Sequence, residues 1–137
     1  MKYLIFGIAL IFFYTNIYSQ SERKKCISHF DSLSNIEVFE DVDKMPIVEG
    51  GENKLFEAIS NVTCHVKWNG GPTKVIIAFV IDTNGKMIGK RIIQDLEYRD
   101  YILEIFPHIA GLKWIPGMCN NKIVPVLFKL PIQLDFK

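Results

Sequence analysis

The chain of 137 residues has almost no net charge, +1 with its histidines neutral. Its first nineteen residues hold Lys2 and no acid, and without them bases and acids are equal in number. Such balance leaves no electrostatic footprint for nucleic acid. Cysteine is scarce: Cys26, Cys64 and Cys119 are the whole set. No Cys-x-x-Cys or His-x-x-x-His spacing joins them to His29, His65 and His108, so structural or solvent roles are favoured over metal ligation. No Lys-Ser or Lys-Thr follows Gly70-Gly71 at P-loop spacing, which leaves that pair as a turn. A nucleophile with its base is missing too, because Cys64 and His65 are adjacent and neighbours on a strand point to opposite faces. No catalytic residue, metal or cofactor is expected.

A long apolar run is also lacking. The stretch from Tyr3 to Tyr18 falls short of the roughly 20 residues that span a bilayer. With Lys2 ahead of it and Ser19 behind it, residues 1–19 have the form of a secretory signal peptide. The alternative is an uncleaved anchor, which Lys24 and Lys25 on the exported side disfavour. Export would put the cysteines where disulfides persist. Three is an odd number, so at least one thiol is left over within the chain. Cys64 with Cys119 is the pair to test, since both flank the expected core while Cys26 lies in a polar leader, 20–37; three unpaired, packed cysteines remain the alternative.

What the chain does have is an organising hairpin. Val75 to Ile81 is an apolar, largely β-branched run of strand length. Asp82-Thr83-Asn84-Gly85 supplies turn chemistry, and Met87 to Gln94 resumes an extended pattern. Ahead of it, Ile36 to Pro46 looks extended, with Pro46 disfavouring helix at Met45. Gly50-Gly51 precede a short helix whose Leu55, Phe56 and Ile59 share a face. Behind it, Tyr98, Tyr101, Ile102, Ile105, Ile109 and Leu112 recur at helical spacing, with a kink or early break expected near Phe106 because of Pro107. Trp114 in the following turn is expected as a core or lid residue.

The last segment alternates most clearly. Val124, Val126, Phe128, Leu130, Ile132, Leu134 and Phe136 fall on one face, and Pro125, Leu127, Lys129, Pro131 and Gln133 on the other. Prolines cannot donate to a ladder, so this strand is expected at or near a sheet edge. The order helix, strand, strand, helix, strand describes a small α+β domain over residues 38–137, an antiparallel sheet of about three strands packed against two helices.

Several of these residues together resemble the TonB C-terminal domain family. They are the glycine pair opening a helix, Phe79-Val80-Ile81-Asp82, Asn84-Gly85-Lys86, the turn Lys113-Trp114-Ile115-Pro116-Gly117, and Val124-Pro125-Val126 running to Leu130-Pro131. The resemblance covers roughly Val38 to Phe136, and its most specific part is the Trp-x-Pro-Gly turn. It departs from the family at Glu49, where close relatives carry proline, and at Pro107. The resemblance implies a periplasmic or cell-envelope domain of a Gram-negative bacterium that binds an outer-membrane TonB-dependent receptor, whose short segment adds as a strand to an edge. The implied partner-binding edge is Val124, Val126, Leu127, Phe128, Lys129 and Leu130. Full transducers of the family cross the periplasm on a long proline-rich linker, whereas here Pro46 is the only proline between Ser19 and Glu49. The alternative is therefore a free-standing envelope structural or assembly module, an adaptor or an edge-to-edge homodimer, with the fold but no energy coupling. Membrane contact is expected only through an uncleaved N-terminal segment.

Overall fold

The computed structural model describes residues 25–63, 73–94 and 99–134. Its centre is β4, Thr73–Ile81. Val75 and every residue from Ile77 to Ile81 are fully removed from solvent, which is why the run is apolar on both faces rather than alternating. β4 pairs with β9, Val126–Leu134, antiparallel along all nine residues of both strands. On its other side β4 pairs with β5, Met87–Ile92. The joining turn is set by Asp82, whose Oδ1 accepts the N–H groups of Asn84 at 2.8 Å and Lys86 at 2.9 Å, while Gly85 takes the positive φ of 78°. The expected hairpin is present.

Before the hairpin, Gly50 and Gly51 adopt φ of 94° and 100°, a reversal that side chains resist, and α1, Glu52–Thr63, starts directly after it. Leu55, Ile59 and Val62 are buried at helical spacing, but Phe56 is 62% exposed. Phe56 thus departs from the core face it was expected to share. After the hairpin come two short helices, α2, Arg99–Leu103, and α3, Ile105–Ala110. The expected break comes at Glu104, slightly ahead of Phe106. That position puts Pro107 in the first turn of α3, where its missing N–H has no intrahelical acceptor to lose. Ile102, Ile105, Phe106 and Ile109 pack with α1 and with Val75, Ile77, Phe79 and Ile81 of the sheet. Among the described residues, no helix is long and apolar enough to cross a membrane.

Among the described residues the sheet has five strands, in the order β1 (Ile27–Asp31), β2 (Ile36–Asp41), β9, β4, β5, rather than about three. The additions are β1 and β2, an antiparallel hairpin. β1 lies wholly within the 20–37 stretch expected as a polar leader. Beyond the sheet are two small ribbons. One joins β3, Ile47–Val48, to β6, Trp114–Ile115; the other joins β7, Gly117–Cys119, to β8, Lys122–Val124. The β7–β8 turn rests on Asn120 and Asn121 at φ of 50° and 62°, the residue type and signs a two-residue hairpin turn favours.

The β1–β2 hairpin bends over the sheet face opposite the helices. There Val38 packs with Ala78, Val80 and Leu127 in a second small core. β1 and β5 are the two outermost strands, yet Asp31 on β1 reaches Arg91 on β5, with Nη1 to Oδ1 at 2.6 Å and Nη2 to Oδ2 at 2.7 Å. Gly89 of β5 leaves the room for this closure: a Cβ there would meet Ser34 and Asp31 at 3.2 and 3.4 Å. The sheet is therefore strongly curled.

Candidate functional site

The site starts from the Trp-Ile-Pro-Gly turn. Trp114 is 5% exposed, its ring 5.5 Å from that of Phe79 and 5.7 Å from that of Phe128, both near edge-on. Its Nε1–H donates at 2.9 Å to the Ile109 carbonyl near the end of α3, which also accepts the Leu112 N–H at 3.3 Å. Gly117 is required by contact: a Cβ would sit 2.5 Å from Val126 Cγ2 and 2.9 Å from the Lys44 carbonyl oxygen. Pro116 is half-buried beside it, and the exposed Lys113 pairs with Glu49 at 2.9 Å. The turn is thus a keystone joining β3, α3 and β9, with Trp114 in the core role expected for it.

β9 runs away from this keystone. It is the third of five strands, so the expected sheet edge is not its place in the order, but its two flanks differ greatly. Toward β4 every residue is paired; toward β2 the register has one pair, Phe39 with Val126. Phe39 N–H donates to the Pro125 carbonyl at 2.9 Å, so odd-numbered residues direct their backbone groups to the β2 side and even-numbered ones toward β4. This parity explains the prolines. Pro125 and Pro131 have their missing donors on the β2 side, and the β4 ladder loses nothing. Among the described residues, no strand pairs with that flank beyond Val126.

Alongside that flank lies a groove of about 660 Å³. Its walls are Met45 to Val48 with β3, the α1 residues Leu55, Phe56 and Ile59, and Phe128 and Leu130 to Gln133 of β9, with the buried Trp114 also lining it. Met45, Ile47 and Phe56 are 42%, 53% and 62% exposed. Large apolar side chains left open beside an unpaired backbone edge form a surface suited to an extended segment. Glu52, Ser60 and Gln133 are its polar members.

The residues expected at the edge divide accordingly. Val124 lies in β8 and pairs with Gly117, so it is not part of the final strand. Val126 and Leu127 are buried at 0% and 7%, in the clusters under β7 and under β2. Phe128 and Leu130 line the groove from the helix face of the sheet, and Lys129, exposed, pairs with Glu40 of β2 at 2.7 Å. Of the expected edge, only Phe128 and Leu130 therefore meet the groove. Met45, Ile47, Phe56 and Gln133 were not anticipated. Phe56 carried a signal, an aromatic beside two residues that alone suffice for the helix's core stripe, whereas β3 is too short to have a period.

The cysteines pair differently from the expected Cys64 with Cys119. Cys119 is bonded to Cys26, with Cα atoms 6.2 Å apart. Cys26 belongs to the fold because it leads straight into β1 and packs beside Val42, Cys119 and Val126. Cys64 lies outside the described residues. Asp43 stands close to both sulfurs, within 4.8 Å, but the sulfurs are spent on each other and Asp43 Oδ2 accepts the Asn120 N–H at 2.6 Å. That cluster is a braced turn. Among the described residues the one strongly perturbed carboxyl is Asp31, held well below the usual carboxylate range first by the Arg91 hydrogen bonds and then by those from Ser34, against the opposing effect of burial. Its role is closure of the sheet.

No protein family, no curated protein and no solved structure matches the chain.

Proposed function

We propose that this chain is an exported, envelope-located protein-binding domain of the TonB C-terminal kind, and that it takes up an extended segment of an outer-membrane TonB-dependent receptor. The guest adds as a strand to the β2-side flank of β9 and sends alternate side chains into the adjoining groove. The observation that carries this reading is the half-paired state of β9: complete toward β4, open toward the groove beyond Val126. The Cys26–Cys119 disulfide supports export, since such bonds persist in oxidising compartments.

Parity decides how to block the edge. Lys129 and Gln133 present their backbone to the flank, whereas proline at Phe128 would cut the β4 ladder and damage the fold. Because Pro125 and Pro131 already occupy positions of the same parity, Gln133→Pro is the gentler block. Capture from detergent-solubilised envelopes tests the reading. Native protein should retain an outer-membrane receptor that Gln133→Pro loses. Retention of the chain's own copies alone, or of envelope proteins indifferent to the block, favours the uncoupled module. The exposed apolar residues Ile27, Phe30 and Leu33 on and beside the outermost strand β1 would suit that second reading.

A further inference from the structure

We propose that the β1–β2 hairpin is a redox-released strap lying over the leading end of the β9 flank, so that the disulfide sets how much of the flank a guest strand can use. This rests on the strand-addition reading of that flank. The strap's join to β9 is slight: one register pair, Phe39 with Val126, where β4 and β9 are paired along nine residues. The ion pair that reinforces it, Lys129 with Glu40, is 47% and 41% exposed and correspondingly weak. The hairpin is fastened instead at its ends, to elements that are not its sheet neighbours. Cys26, just ahead of β1, is bonded to Cys119 of β7, and Asp31, at the end of β1, is clamped by Arg91 of β5. Between the two fasteners, Val38 against Ala78, Val80 and Leu127 supplies a small apolar contact.

A dithiol reductant undoes the covalent fastener. Its thiolate attacks Sγ of Cys26, the half-buried partner, while Cys119 is 6% exposed. The sulfur–sulfur bond breaks and Cys119 leaves as a thiolate that takes up a proton. The reductant's second thiol then displaces Cys26, forming a cyclic disulfide and leaving both cysteines as thiols; two electrons have passed from reductant to protein. The hairpin is then held by Arg91 at its tip and by the chain beyond Asp41. Opening of a segment tethered at one end confines it far less than opening of one tethered at both, so the strap opens more often. Each opening frees the Leu127 backbone and lengthens the guest site toward Val126.

Hydrogen exchange on the full chain, oxidised and after dithiothreitol, tests this. Amides from Ser28 to Asp41 should exchange at least about tenfold faster on reduction, and by more than Phe79 and Phe128, in the β4–β9 ladder, whose own loss reports only the lowered global stability. A Cys26→Ser/Cys119→Ser variant should reproduce the reduced pattern without reductant. It should also bind a labelled synthetic peptide of residues 36–42, a free copy of β2, at least about tenfold more tightly than the oxidised chain does. Unchanged protection of Ser28–Asp41, or amides of β1–β2 and β4 left exchanging at one common rate after reduction, overturns the strap. Failure of strand addition itself shows separately, as receptor capture indifferent to Gln133→Pro, and leaves the exchange result standing.

Discussion

Replacing Arg91 with methionine tests the closure of the sheet and, with it, the physical basis of the strap. The substitution keeps much of the side chain's bulk and removes both hydrogen bonds, at 2.6 and 2.7 Å, from a carboxylate that is only 5% exposed. Ser34 still donates its N–H at 2.9 Å and its hydroxyl at 2.5 Å to Oδ2, so Oδ1 is the oxygen left bare. Breaking a buried ion pair costs about 3–5 kcal/mol; because the Arg91 side is 21% exposed and water can enter, about 2–3 kcal/mol is expected here. The pH dependence carries a sign. Asp31's folded pKa lies below its ordinary value of 3.8, so its contribution is complete above that value and is lost as pH falls below it toward the folded one. In Arg91→Met the largest lowering influence is gone while burial still raises the carboxyl. The gap between native and variant in urea unfolding should be full at pH 7 and should shrink as pH falls below 3.8. A gap under about 0.5 kcal/mol at pH 7, the ordinary scatter of surface substitutions, or one that stays constant into acid, would refute the reasoning.

The keystone turn gives a second prediction: Gly117→Ala forces a Cβ to 2.5 Å from Val126 and 2.9 Å from a backbone carbonyl, and should lower stability by about 1–3 kcal/mol in the same assay. Trp114→Phe removes the shorter of two hydrogen bonds to the Ile109 carbonyl and leaves space between Phe79 and Phe128, so a loss of about 1–3 kcal/mol is expected in thermal unfolding, with circular dichroism in the near ultraviolet reporting the disturbed ring cluster. Cys26→Ser opens a link across a sequence separation of 93 residues, for which chain entropy gives about 4–5 kcal/mol as an upper figure, measured in urea with midpoint and slope fitted separately because the unlinked unfolded chain exposes more surface and steepens the slope. Phe56→Glu, on an exposed groove wall, should leave stability within about 0.5 kcal/mol and still abolish receptor capture.

Local chemistry explains what the sequence made legible. The β4–β5 hairpin, the Gly50-Gly51 reversal and the break before Pro107 each follow from backbone preferences of residues adjacent in the chain. The β1–β2 hairpin was hidden because its apolar members are few: Val38 is fully buried, but Ile27, Phe30 and Leu33 face outward, so no alternation marks the strand. Its closing pair, Asp31 with Arg91, joins residues sixty apart and leaves no mark at either position. The disulfide was misassigned for the same reason, since Cys26 looked peripheral until β1 was placed. The prolines of β9 did signal a flank without a full ladder. They could not show that β2 would take only its leading end at Val126, which left the groove beside the rest as the candidate site.

Photo-crosslinking in intact envelopes addresses that site most directly. A benzophenone side chain at Phe56, on the groove wall, and another at Lys90, on the exposed outer strand β5, would report which surface a partner touches. The account predicts an adduct with an outer-membrane receptor from position 56, none from position 90, and loss of the first when Gln133→Pro is added. A receptor adduct from position 90 alone, or one from position 56 that survives the Gln133→Pro block, would contradict strand addition at β9.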